Sequence, residues 1–211
     1  DLSSNTPAGG ESATDVPGIQ EIDNMQHTPV NQQLRDIWSW MYSGVNRANY
    51  ILEFKDKTDF PGKEVILAEA TFLRAYYYFE LVKWFGDVPL AVDKRLLFGD
   101  QDVVDRNPAA EVLDQIEADL AFASENLNYT AAETGRITKG AALALLGKVR
   151  VYRGKYQEAA QALEEVINNG PYALLEDYSL LFENDHENTV ESVFEVQYTD
   201  VEGAGFECLQ C

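Results

Sequence analysis

Few side chains in this chain of 211 residues have the types and spacing that chemistry requires. His27 and His186 are far apart, and neither sits in a metal-ligand spacing. Cys208 and Cys211 form C-x-x-C at the extreme C-terminus. A structural zinc site needs four ligands, and a redox pair belongs between a strand and a helix, so these read as incidental thiols. Asn184-Asp185-His186-Glu187 is rich in oxygen but lacks the alternating ligands and glycine of a calcium loop, and reads as a solvated turn. With 36 acidic residues, some carboxylate pair always falls at glycosidase distance, so the pattern supports none. The dinucleotide, P-loop and nucleophile-elbow glycine motifs do not occur. No catalytic residue, metal or cofactor is expected. What is left is aromatic: Trp38 and Trp40 stand near the start of a predicted helix, beside a long loop, where flat rings are accessible. The competing reading puts Trp38 in an aromatic ridge of a packed helix and turns Trp40 to the core beside Ile37 and Met41.

Composition narrows the classes. Hydrophobic residues are 45% and aromatics 11%, which suits a folded chain with a sizeable core. The net charge of -20 excludes a nucleic-acid footprint and adhesion to an anionic membrane face. The longest strongly apolar run, Ala141 to Leu146, is far too short to cross a bilayer. Asp1 is not followed by a signal-peptide pattern, so the chain is cytosolic or a leader lies upstream.

The elements are helical. Residues 1–30, rich in Gly, Pro, Ser, Asn and Asp, read as an irregular N-terminal segment, and Asn31 as a helix cap. Leu34, Ile37, Met41, Val45, Ala48 and Leu52 predict a helix over 32–53. The central stretch, 64–85, has two apolar lines: Val65, Ala68, Phe72, Ala75, Phe79, Val82, and beside it Ile66, Ala70, Leu73, Tyr77, Leu81, Trp84. Two lines predict burial between neighbours, with Gly86 as the stop. Arg74, among these apolar residues, reads as one half of a structural ion pair or as a guanidinium stacked on Tyr77 or Tyr78. Asn107 is expected to cap a third helix that Pro108 opens. Residues 138–171 carry Leu143, Leu146-Gly147, Gly154, Tyr156, Ala159, Leu163, Val166 and Pro171 near tetratricopeptide offsets, with Arg150 replacing an expected aromatic. Residues 64–127 form a second such unit with a long acidic connection. Ser192 to Tyr198 alternates and predicts a strand.

Three blocks carry a resemblance: Trp38-x3-Tyr42-x2-Val45-x3-Asn49-x2-Leu52, then FLRAYYYFELVKWFGDVPL (72–90), then Tyr178-x3-Phe182 through ESVFEVQY (191–198). They resemble the SusD/RagB family of surface lipoproteins. The resemblance implies a mostly α fold of tetratricopeptide-like hairpins with a short C-terminal strand segment. Residues 31–211 would be its helical domain, the N-terminal part of a longer protein. It further implies a non-enzymatic subunit on a Bacteroidetes-type outer membrane, holding an oligosaccharide or peptide for a TonB-dependent transporter. The lipid anchor would lie upstream of Asp1. On that reading Trp38 or Trp40 offers the sugar platform, and residues 138–171 pack against a protein partner. A tetratricopeptide adaptor that binds a peptide in a helical groove is the alternative.

Overall fold

The computed structural model describes residues 17–92, 94–97, 99, 105–183 and 186–197. It is mostly α, as expected: α1 (Pro17–Asp23), α2 (Gln32–Glu53), α3 (Lys63–Phe85), α4 (Ala109–Asn126), α5 (Lys139–Tyr152) and α6 (Tyr156–Asn169), followed by a 3-10 turn at Tyr178–Phe182. Each helix from α2 to α6 packs chiefly on its neighbours in sequence. α3 lies between α2 and α4, and the core runs through Val45, Ala68, Phe72, Ala75, Phe79, Ile116, Leu120 and Leu146.

The two-faced reading of α3 holds, but its second face is not the one the apolar letters suggest. Leu73 and Trp84 are 37% exposed. The buried second line is Leu67, Thr71, Arg74, Tyr78 and Leu81, spaced at helical steps and broken by two polar residues. The α2–α3 contact is close because residue 44 is glycine: a Cβ there would lie 2.3 Å from the Tyr77 ring. Gly147 does the same for α5 and α6, where a Cβ would meet Leu163 at 2.6 Å. A three-residue turn, Arg153 to Lys155, joins those two helices, with Gly154 at φ 70°.

Arg150, which departs from the repeat pattern, has a different task. Its guanidinium donates to the Glu158 carbonyl and lies 3.4 Å from Glu117 of α4. Arg153 and Lys155 close on the same carboxylate at 2.5 and 2.7 Å. Burial alone would raise the Glu117 carboxyl, and the hydrogen bonds from Lys155 and Arg153 outweigh it, holding it below the ordinary value.

Several local expectations are corrected. The N-terminal stretch is not wholly irregular: α1 lies within it, with Ile22 buried. Asn31 does cap α2, accepting the Leu34 N–H at 3.1 Å. Pro108 is the residue before α4 and not its first helical position. Asn107 does not cap that helix; its Oδ1 accepts from Leu90 N–H. The Ala109 N–H instead goes to Asp87, across the α3–α4 connection, at 2.8 Å. No strand forms over the described part of 192–198, because nothing there supplies a ladder partner. Phe194 from this stretch sets its ring against Phe72, 6.0 Å away. Tyr198 lies outside the described residues.

Phe79 is 1% exposed at the centre of α3. Phe79→Ala should cost roughly 3–5 kcal/mol as a core truncation. Denaturant unfolding of the two chains checks this, and a loss below about 1 kcal/mol contradicts the central position of α3.

Candidate functional site

α2 positions the two candidate tryptophans. Its start is held to α1 by Asn31, whose amide donates to the Gly18 carbonyl at 3.0 Å and to Glu21 Oε2 at 2.7 Å. Trp38 follows two turns later and is half-buried, its ring 4.8 Å from Tyr42 and edge-on to Phe85 at 5.0 Å. Trp40 is 60% exposed. The alternative that turned Trp40 to the core is therefore overturned. At about 100° per residue, 40 lies roughly opposite the mean direction of 38, 42, 45 and 49, which face the core.

Behind this edge sits a buried polar layer. Arg74 makes a bidentate pair with Asp119 of α4, Nε to Oδ2 and Nη2 to Oδ1, both 2.7 Å. Its Nη1 donates to Asn49 Oδ1 of α2 at 3.0 Å and to the Val92 carbonyl at 2.6 Å. Of the two readings of Arg74, the ion pair is the one found. Asn49 donates in turn to the carbonyls of Ala91 and Lys94, at 2.9 and 3.1 Å. The Tyr78 hydroxyl accepts from Ala91 N–H and donates to Ala91 O. Tyr42 donates to Pro89 O at 2.8 Å, and Asn46 bonds both the N–H and the carbonyl of Leu96. The strap from Pro89 to Leu96 is thus pinned by side chains of α2 and α3.

Sequence reasoning located Arg74 but not its partners. Asp119 carried a signal: it lies between Ile116 and Leu120 on the apolar side of α4. A carboxylate there needs a cation. Asn49 was already in the quoted helix-one pattern.

The polar layer is satisfied within the protein and offers no open coordination. Burial pushes the Tyr78 hydroxyl up to about 12, and Tyr42 is raised further for the same reason. A cleft elsewhere is lined by Leu181, Glu183, His186, Glu187, Glu191 and Glu195. His186 Nδ1 stands 3.6 Å from Glu183, outside hydrogen-bond reach. Among the described residues no three or more His, Cys, Asp or Glu side chains are arranged to hold a metal. Asn184, Asp185, Cys208 and Cys211 lie outside the described residues.

The comparisons with known proteins agree with one another. The profile of the SusD-like family, described as starch-binding associating with outer membrane, matches residues 9–152. The chain belongs to the SusD-like family. It is 30% identical to the SusD-like protein P38 of Formosa agariphila, over 82% of this chain and 34% of that protein. A solved laminarin-binding SusD-like protein is 37% identical, with a TM-score of 0.84, over 94% of this chain and 45% of that one. Surface glycan-binding protein A of Bacteroides thetaiotaomicron, solved in complex with laminarihexaose, is 26% identical, with a TM-score of 0.82, over 94% and 42%. The chain thus spans about a third of the curated relative and under half of the solved ones.

Two predictions test the polar layer. Asp119→Ala leaves the Arg74 charge buried and unpaired, and should cost about 3–5 kcal/mol in denaturant unfolding. A loss no larger than that of an exposed carboxylate would contradict this role. The second concerns alkaline pH. Folding favours the neutral form of Tyr78, so its contribution is whole below the ordinary value of 10.0 and falls as pH rises toward about 12. The loss from this residue should be roughly 2–3 kcal/mol. Unfolding midpoints from pH 8 to 12, read beside tyrosinate absorbance, check it; a flat profile contradicts it.

Proposed function

We propose that this chain is the binding part of a non-enzymatic nutrient-uptake protein that holds an oligosaccharide and delivers it to a TonB-dependent outer-membrane transporter. The supporting observation is the likeness, along 94% of the chain at 37% identity, to a laminarin-binding SusD-like protein. A peptide is the second cargo the resemblance allows. The protein sits on the outer face of the outer membrane, peripheral to it, through a lipid anchor upstream of Asp1.

On this reading residues 31–211 are the helical domain of a longer protein and residues 1–30 its N-terminal segment, of which α1 is bonded to the start of α2 through Asn31. Residues 64–127 and 138–171 are its tetratricopeptide-like units. The second of these faces a protein partner. Trp40 offers the sugar a flat apolar face, while Trp38, on the core side of α2, anchors that stretch of the helix. Stacking on aromatic faces with hydrogen bonds to hydroxyls is the chemistry such a ligand needs.

Titration calorimetry of the chain with laminarihexaose tests the reading. Trp40→Ala should weaken binding about ten-fold or more, roughly 1.4 kcal/mol. Because Trp40 is exposed, that variant should keep its unfolding midpoint. Tight binding untouched by the substitution overturns the placement, and release of reducing sugar by purified protein overturns the non-enzymatic assignment.

A further inference from the structure

We infer that the oligosaccharide taken at Trp40 is an uncharged one, and that the chain turns polyanionic glycans away; this rests on the glycan-binding reading above. The first support is the whole-chain field. The net charge is -20, from 36 acidic against 16 basic residues. Such a field slows the approach of a like-charged ligand, and at physiological salt it persists for about 8 Å from the surface.

The second support is where the cations stand. A sulfate or carboxylate on a sugar is recognised by a guanidinium or ammonium free to meet it. Among the described residues, the cations of the helical hairpins are largely spent on the protein's own carboxylates. Arg136 is paired with Glu69, Lys139 with Glu165, and Arg150, Arg153 and Lys155 all meet on Glu117. The Glu117 cluster in particular gathers three basic side chains at one place and leaves none of them to a ligand.

The third support is local. One helical turn before Trp40 on its face of α2 stands a carboxylate, Asp36, and one turn after it stands Ser43, whose hydroxyl donates to the Ser39 carbonyl. The nearest cation on that face, Arg47, is two turns on, about 10 Å along the axis. Lys83 of α3 is neutralised by Glu80 at 2.6 Å. An exposed indole flanked by a carboxylate and a hydroxyl suits a ring with hydroxyls and an apolar face. Within one turn of the indole on this face, no cation compensates an anionic ring for its lost water.

The test compares laminarihexaose with a sulfated laminarin oligosaccharide of the same length, on the chain as it stands, at low and high salt. We expect laminarihexaose to bind with an affinity that changes less than about two-fold with salt. The sulfated chain should bind about ten-fold or more weakly at low salt, and the gap should narrow as salt screens the field. Equal or tighter binding of the sulfated chain at low salt overturns this inference and leaves the glycan-binding reading intact. If neither sugar binds at either salt, the glycan-binding reading fails and this inference falls with it.

Discussion

One buried ion pair organises the structure. Arg74 and Asp119 are 45 positions apart in the chain, both nearly inaccessible, and joined by two parallel hydrogen bonds. Two charges taken out of water are costly unless each finds full compensation. That requirement constrains everything near them. α4 must bring Asp119 to α3, α2 must bring Asn49, and the connection after Gly86 must turn its carbonyls inward to meet Nη1 and the Asn49 amide. An apolar pair in the same place would fill the volume but would not specify where the strap lies. Here the directional bonds locate it at Pro89, Ala91, Val92, Lys94 and Leu96.

The strap and the aromatic edge are mechanically one unit. Tyr78 touches Ala91 through its hydroxyl and Tyr42 through its ring, 6.3 Å away in an edge-on arrangement. Tyr42 in turn holds Pro89 and stacks against Trp38, which rests on Phe85. The chain of contacts therefore runs from the ion pair to the segment of α2 that carries Trp40. A platform whose supports are already ordered loses little freedom when a ligand settles on it. This is the physical link between a buried salt bridge with no chemistry of its own and the exposed indole proposed as the sugar platform.

The same protein handles its other charges differently. Glu117 is half-buried and draws Arg150, Arg153 and Lys155 around the α5–α6 turn, fixing that hairpin on α4. Arg95 lies over the Tyr50 ring at 4.6 Å and pairs with Glu53, closing the far end of α2. Membership in the SusD-like family accounts for the helical architecture, while these pairs are how this particular sequence assembles it. The acidic excess remains on the surface, where it faces whatever approaches.

The sequence by itself determined the helices and many of their ends. α2 and α3 run as their periodicity predicts, Asn31 caps the first, and Gly86 and Gly154 end or turn where a positive φ is needed. These features depend on neighbours three or four residues away, so local letters suffice. The family was legible too, because its blocks follow the same buried helix faces. What only the tertiary structure decided involves distant partners. Thr71 and Arg74 occupy the buried line of α3 while Leu73 and Trp84 stay exposed, since Asn49 and Asp119 are there to satisfy the guanidinium. Asp87 reaches α4 across a loop, Ser192 to Gln197 lacks the ladder its alternation called for, and Trp40 points outward because its neighbours on α2 claim the core. Hydrophobicity says that a residue gains from burial; which residues obtain it is settled by which helix arrives on which side.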